Sequence, residues 1–175
     1  MFQNNLMMAA ASISNEITCS LLGTDMNSGS ASSHTISGAD LGVAAADRQI
    51  VYCYAGRNAG ESGGITSVTV GGTGLAHIVS HTKGGGTGYR TETWAGVIAT
   101  GTSADIVITQ VSNTFDTNST WYHMTGADVG AAYTATAPAS AATGVMTASI
   151  DCDAGGVIVG SAQCNAGFPF SWTNL

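Results

Sequence analysis

The sequence contains few charged residues. Only 9% of its 175 residues are Asp, Glu, Lys or Arg, whereas an average soluble domain has about 25%. The four cations face eleven carboxylates, which gives a net charge of −7. Nucleic-acid-binding proteins need clustered Lys and Arg to displace the counterions of the phosphates. The composition therefore excludes nucleic acid as a partner.

Long apolar runs are also missing. No run reaches the roughly 18 apolar residues that predict a membrane helix. A secretory signal needs a basic start followed by about 7–15 apolar residues, but the first cation is Arg48 and the apolar run 6–11 is short. We therefore expect a protein that is synthesised and folds in a cytoplasm, with no membrane partner.

Cysteine spacing gives no sign of a metal or redox centre. The four cysteines contain no C-x-x-C pair, so neither a zinc site nor a redox pair is predicted. They are Cys19, Cys53, Cys152 and Cys164. Three disulfide pairings are open to them, and sequence does not choose among these. Cys53 lies in the apolar run 50–54, which favours buried free thiols over a disulfide framework.

Two motifs resemble catalytic or phosphate sites only in composition. His77 and His81 form H-x-x-x-H, but Ile78 stands where a zinc protease has glutamate, and the surrounding residues predict a strand. Residues 83–88 read KGGGTG, but the lysine precedes the glycines, whereas in a phosphate-binding loop it follows them. A histidine pair on a surface strand and a glycine-rich hairpin turn are the favoured interpretations.

No constellation predicts an enzyme or a cofactor. Asp151 and Asp153 would share one face of a strand and could contribute to a calcium site, but no calcium-loop pattern accompanies them. The G-x-S-x-G elbow of α/β-hydrolases is absent, and the strand pattern contradicts that fold. We expect a non-enzymatic protein without catalytic, metal or cofactor residues.

Short strands dominate what is present. Runs of β-branched and aromatic residues alternate with glycine-rich turns at a spacing of about 8–12 residues, which is typical of a sandwich or barrel. The predicted strands are 34–37, 48–55, 65–70, 75–82, 89–99, 104–110, 119–125, 144–150 and 156–163. The segment 130–140 predicts a long connection. These features predict an all-β fold, an antiparallel β-sandwich of jelly-roll type.

The first 33 residues differ from the rest. Phe2, Leu6, Met7 and Met8 are large apolar residues, and the first three share one face of a helical turn. The Ser-, Asn- and Gly-rich stretch 26–33 predicts a linker. We therefore divide the chain into an N-terminal arm and linker (1–33) and a β-sandwich domain (34–175). The arm can dock on a partner or fold back on its own domain.

Aromatic residues are candidates for binding sugars. Trp94, Trp121 and Trp172, with Tyr89 and Tyr122, could line a face that stacks on the apolar faces of a glycan. Core packing is the preferred interpretation, particularly for Trp121 inside a predicted strand. Tyr89, Trp94 and Trp172 are kept as the candidates for glycan stacking.

Several segments resemble virion proteins of tailed bacteriophages. The opening QNNLMMAA (3–10) is similar to the start of such proteins, and ITSVTVGG (65–72) is similar to a repeated phage β-domain pattern. The likeness continues at residues 92–97, 100–108, 124–126, 155–160 and 168–173. The resemblance thus spans most of the chain. Related domains have further strands after the segment corresponding to 168–173, which this chain lacks.

The resemblance implies a structural or accessory virion protein with a jelly-roll-like domain. Long repeats and coiled-coil heptads, which build fibre shafts, are absent, so we expect a decoration protein of the capsid or virion surface, bound through Phe2, Leu6, Met7 and Met8. Its partners would be other virion proteins and further copies of itself. We expect either that the chain continues beyond Leu175 or that a neighbouring subunit completes the sheet, in a homotrimer or another symmetric assembly. The alternatives are a receptor- or glycan-binding module of a tail fibre, and a carbohydrate-binding domain of an enzyme.

Overall fold

The computed structural model describes residues 17–27, 31–58, 64–83, 88–111 and 114–127, together with Val157 and Val159. All regular secondary structure in these residues is β-strand. The strands are β1 (Thr18–Asn27), β2 (Ser33–Asp40), β3 (Gln49–Asn58), β4 (Ile65–Val70), β5 (Thr73–Gly74), β6 (Ala76–Lys83), β7 (Gly88–Val97), β8 (Ser103–Gln110) and β9 (Thr114–Thr125).

The strands pair in a nested order, as if the chain were one long antiparallel ribbon folded at its middle. β1 pairs with β9, β2 with β8, β3 with β7 and β4 with β5. The ribbon is then rolled up, so that β3 also pairs with β9 and β4 with β8. The two sheets have the orders β1-β9-β3-β7-β6 and β2-β8-β4-β5. Nested pairs rolled into two facing sheets form a jelly roll, so the predicted jelly-roll-like β-sandwich is confirmed.

The tip of this ribbon is the turn at Gly71 and Gly72. Val70 pairs with Thr73 across the turn, and the two glycines have φ angles of 55° and 82°. Two consecutive positive φ angles are the mark of a type I′ turn, whose twist suits a two-residue hairpin. Glycine adopts this conformation without steric cost. The glycine signal in the sequence thus marks the point near which the nested pairs are centred.

The main core lies between the two sheets. Ile50 and Tyr52 of β3 face Ile106 and Ile108 of β8, and all four are at most 1% exposed. Burying one such large apolar side chain stabilises the fold by about 1.5–3 kcal/mol. The hydroxyl of Tyr52 lies 2.6 Å from Oγ of Ser119. The core therefore keeps its tyrosine hydroxyl hydrogen-bonded.

The outer face of the five-stranded sheet is apolar as well. Val51, Cys53, Ala95 and Met124 are buried on this side, and Val159 packs against them. Successive residues of a strand point to opposite faces, so β3 is buried on both of its sides. Burial on both sides accounts for the continuous apolar run of β3 in the sequence.

Seven predicted strands correspond to strands of the structure, namely β2, β3, β4, β6, β7, β8 and β9. The boundary at residue 34 is wrong, because β1 belongs to the sandwich and pairs along its length with β9. A β-bulge between Leu21 and Gly23 interrupts its alternation, which is why the sequence there reads as arm and linker. The predicted connection 130–140, the strand 144–150 and the strand 156–163 apart from Val157 and Val159 lie outside the described residues.

Candidate functional site

Glu92 is a buried carboxylate on β7 that connects the two sheets. The residue is 1% exposed. Its Oε1 accepts a hydrogen bond from the backbone N–H of Ile65 in the opposite sheet, at 2.9 Å, and another from Nε of Arg90. Its Oε2 accepts a hydrogen bond from the indole Nε1 of Trp94 at 2.9 Å. Hydrogen bonds to an ionised group are stronger than neutral ones, so the carboxylate fastens β4 to β7.

Arg90, Glu92, Trp94 and the nearby His77 form a cluster, which we call the Glu92 cluster. Nε2 of His77 lies 3.9 Å from Oε2 of Glu92, and the His77 side chain is 40% exposed. The His77 ring meets the ring of Trp94 edge-on, with centroids 5.0 Å apart. Because the carboxylate already accepts three hydrogen bonds from within the protein, it is held as a structural acceptor. The cluster is better suited to stabilising the fold than to transferring protons.

His77 and His81 lie on opposite faces of β6. His77 pairs with the inward-facing Trp94, whereas His81 pairs with Thr91, and the register shifts between His77 and Val79. Directly paired residues of antiparallel strands point to the same side of the sheet. The bulge therefore separates two side chains that a regular strand would place on one face, and they cannot bind one ion together. Nε2 of His81 is buried and has no hydrogen-bond partner within the part of the chain that the structure describes.

Trp94 lies in the core. It is 7% exposed, and its indole N–H is bonded to Glu92. A ring so enclosed does not present a face on which a sugar could stack. Trp121 is also buried, as preferred from the sequence, and donates its indole N–H to the carbonyl oxygen of Asp40 at 2.8 Å. Trp172 and the side chain of Tyr89 lie outside the described parts of the structure, so the proposed stacking at these two stays a prediction.

Arg48 is the second buried charge. It is 0% exposed, and its guanidinium donates only to backbone carbonyl oxygens in the hydrogen bonds found. Nε donates to Ile98 at 2.6 Å and Nη2 to Thr100 at 2.7 Å. Nη1 donates to Leu41 at 3.2 Å and Gly42 at 3.1 Å. The rigid fork of a guanidinium suits such simultaneous bonding, and it ties the loop after β2 to the loop after β7.

Two cysteine thiols are free and partly or fully buried. Cys53 is 3% exposed, while Cys19 has intermediate exposure. Burial raises the pKa of the Cys53 thiol to about 11, although a contact with the hydroxyl of Thr93 opposes the shift. Burial also raises the pKa of Cys19. Thiols react as thiolates, so the buried Cys53 is an inert packing group, whereas Cys19 keeps partial access to solvent. Cys152 and Cys164 lie outside the described residues.

β1 is an edge strand with exposed apolar side chains. Among the described residues, only β9 pairs with it. Leu21 is 59% exposed and Met26 is 81% exposed. The predicted arm residues Phe2, Leu6, Met7 and Met8 precede this strand in the chain but lie outside the described residues. Exposed apolar groups on an unpaired edge favour contact with another chain.

Arg48 and Glu92 are not among the candidate residues predicted from the sequence. A usable signal was present, because charged residues are rare in this chain and both stand next to or inside predicted strands. Arg48 stands two residues before the apolar run 50–54, and Arg90, Glu92 and Trp94 alternate with threonines. Because charged residues are almost never buried unless they are paired, a charged residue at an inward-facing position of these strands indicates a buried side chain with hydrogen-bond partners.

Asp151 and Asp153, the candidate calcium ligands, lie outside the described residues. Within the residues that the structure does describe, no three or more His, Cys, Asp or Glu side chains are grouped to hold a metal ion, and no helix is long and apolar enough to cross a membrane. Comparison of the chain with protein-family models, curated proteins and solved structures found no match. The resemblance to tailed-phage virion proteins therefore stays a prediction from the sequence.

Proposed function

We propose that this chain is a non-enzymatic structural protein of a tailed-bacteriophage virion, a decoration protein of the capsid or virion surface. The observation that carries the proposal is that both buried charged side chains among the described residues are hydrogen-bonded within the protein. Arg48 donates to four backbone carbonyl groups, and Glu92 accepts three hydrogen bonds from the protein. Both groups stabilise the jelly roll, which favours a structural role over a chemical one.

The fold and the charge distribution are consistent with this role. Jelly rolls form viral capsid proteins as well as lectins, so the fold alone decides nothing. A surface with few charges suits close packing against neighbouring subunits. The apolar residues of the arm, Phe2, Leu6, Met7 and Met8, precede β1 in the chain and would contact the particle. The protein would be made in the host cytoplasm and incorporated as a homo-oligomer, a trimer being one such assembly.

The test is incorporation into particles by arm variants. The variant replaces Phe2, Leu6, Met7 and Met8 by serine, and the control replaces Ala9, Ala10 and Ala11 by serine. Burying each large apolar residue is worth about 1.5–3 kcal/mol, so the variant should be lost from purified virions while the control remains. Thermal unfolding should show that both retain the folded sandwich.

Normal occupancy of the variant would contradict the role of the arm. Specific binding of the isolated protein to a glycan array would favour one of the two alternatives, a receptor- or glycan-binding module of a tail fibre or a carbohydrate-binding domain. These alternatives differ in copy number, because a tail-tip module is present only a few times in a particle and an enzyme domain is absent from it.

A further inference from the structure

We infer that the edge of β1 is a self-complementary interface that pairs antiparallel with β1 of a second copy of this chain. The bulge in β1 carries the inference. Register with β9 places Cys19 and Leu21 opposite Met124 and Tyr122, on the outer face of the sheet. Beyond the bulge, Thr24 and Met26 pair with Thr120 and Asn118, on the same outer face.

The bulge makes the pattern of outer residues symmetric about the middle of the strand. The outer positions are 19, 21, 24 and 26, so a two-fold axis between Leu22 and Gly23 places position 19 opposite 26 of the second copy, and 21 opposite 24. In a regular strand the same axis would pair an outer residue with an inner one, because faces alternate every residue. Segment 18–21 of one copy can therefore pair with segment 24–27 of the other, and each outer residue then lies opposite an outer residue.

The outer side chains suit a neutral, apolar contact between identical copies. Leu21 and Met26 are 59% and 81% exposed, and none of the four outer residues is charged. The only charge in β1 is Asp25, whose Oδ2 lies 2.6 Å from Nε2 of His34 on β2. Pairing through β1 thus brings no unpaired like charges together, although each copy has a net charge of −7.

The other edge of the five-stranded sheet fits a second copy less well. The opposite edge of this sheet is β6, which contains His77 and His81 and none of the large exposed apolar side chains. β1 also has neither lysine nor proline, the residues that commonly protect edge strands from pairing. An isologous contact uses the same patch on both copies. The outer residues of β1 meet this requirement, because they are arranged symmetrically about the middle of the strand.

Sedimentation and native mass spectrometry of the full chain test this interface. The wild-type protein of 17.5 kDa should form a dimer. Leu21→Lys and Met26→Lys should each weaken dimerisation by at least about tenfold, because every substitution occurs twice in the interface. Val43→Lys, at an exposed apolar residue outside β1, is the matched control and should leave dimerisation unchanged. A wild-type monomer, or a dimer that survives both β1 substitutions, would overturn the inference.

Cross-linking tests the register. In a Cys152→Ser, Cys164→Ser background, Met26→Cys should form a disulfide with Cys19 of the second copy under mild oxidation. These positions lie about 23 Å apart within one strand, and a disulfide requires Cα atoms within about 7 Å, so the bond can only join two chains. Val43→Cys in the same background should give no such dimer. An uncross-linked Met26→Cys protein would contradict the register. The virion role is tested separately by incorporation, since this interface does not depend on it.

Discussion

Replacing Arg48 by methionine tests how the buried charge stabilises the fold. Methionine fills a similar length but donates no hydrogen bond, so four carbonyl groups lose their donor. An unpaired buried polar group costs about 1–3 kcal/mol. Some of this loss is offset because the guanidinium no longer has to be desolvated, and water can reach the carbonyls nearer the surface. We expect a net loss of about 2–4 kcal/mol in unfolding free energy.

Urea unfolding and thermal unfolding measure this loss. For a domain of this size each kcal/mol lowers Tm by about 2–4 °C, so Arg48→Met should melt roughly 5–15 °C lower. Arg48→Lys keeps the charge but loses the planar fork, and it should fall between methionine and wild type. Val43→Ala, in the same loop but 76% exposed, should change stability by less than about 0.5 kcal/mol. An Arg48→Met protein as stable as wild type would refute the proposed role of the four bonds.

Three further predictions concern the core and the sheets. Gly23→Ala should destabilise the fold by about 1–3 kcal/mol, because a Cβ at this position would overlap the ring of Trp121. The control Gly74→Ala places its Cβ in open space and should be nearly neutral. Equal melting temperatures of the two variants would contradict this prediction. Glu92→Ala should cost about 2–4 kcal/mol in urea unfolding, because the buried N–H groups of Ile65 and Trp94 lose their acceptor and each unpaired buried group costs about 1–3 kcal/mol. Unchanged stability would show that these bonds contribute little. Since the pKa of Cys53 is raised to about 11 from 9.0, the unfolded chain loses this proton first, so stability should decline between about pH 9 and pH 11. Cys53→Ala should flatten that decline, and an equally steep pH profile in the variant would contradict the assignment.

The sequence predicts the local elements of this fold better than their pairing. Glycine-rich turns, above all Gly71 and Gly72, and β-branched runs locate seven strands because both signals are local. β1 escapes prediction because its bulge at Leu22 breaks the alternation on which strand recognition depends. Bulges also decide on which face of the sheet a side chain lies. The placement of His77 and His81 on opposite faces therefore cannot be predicted before the strand register is known.

The candidate site was predictable only in part. The sequence offers aromatic residues as sugar-binding candidates, but whether a tryptophan is exposed depends on long-range pairing. Trp94 pairs with Tyr52 in the middle of a sheet and becomes buried. Arg48 acquires its role from carbonyl groups about 50 residues later in the chain, at Ile98 and Thr100, and no local pattern encodes a partner so distant.

The most direct test of the proposed function is the copy number of this protein in purified virions produced by the genome that encodes it. Quantitative mass spectrometry against a labelled standard, normalised to the major capsid protein, gives that number. The proposed decoration role predicts hundreds of copies in each particle. A handful of copies would place the protein at the tail tip instead, and its absence from particles would contradict a virion function altogether.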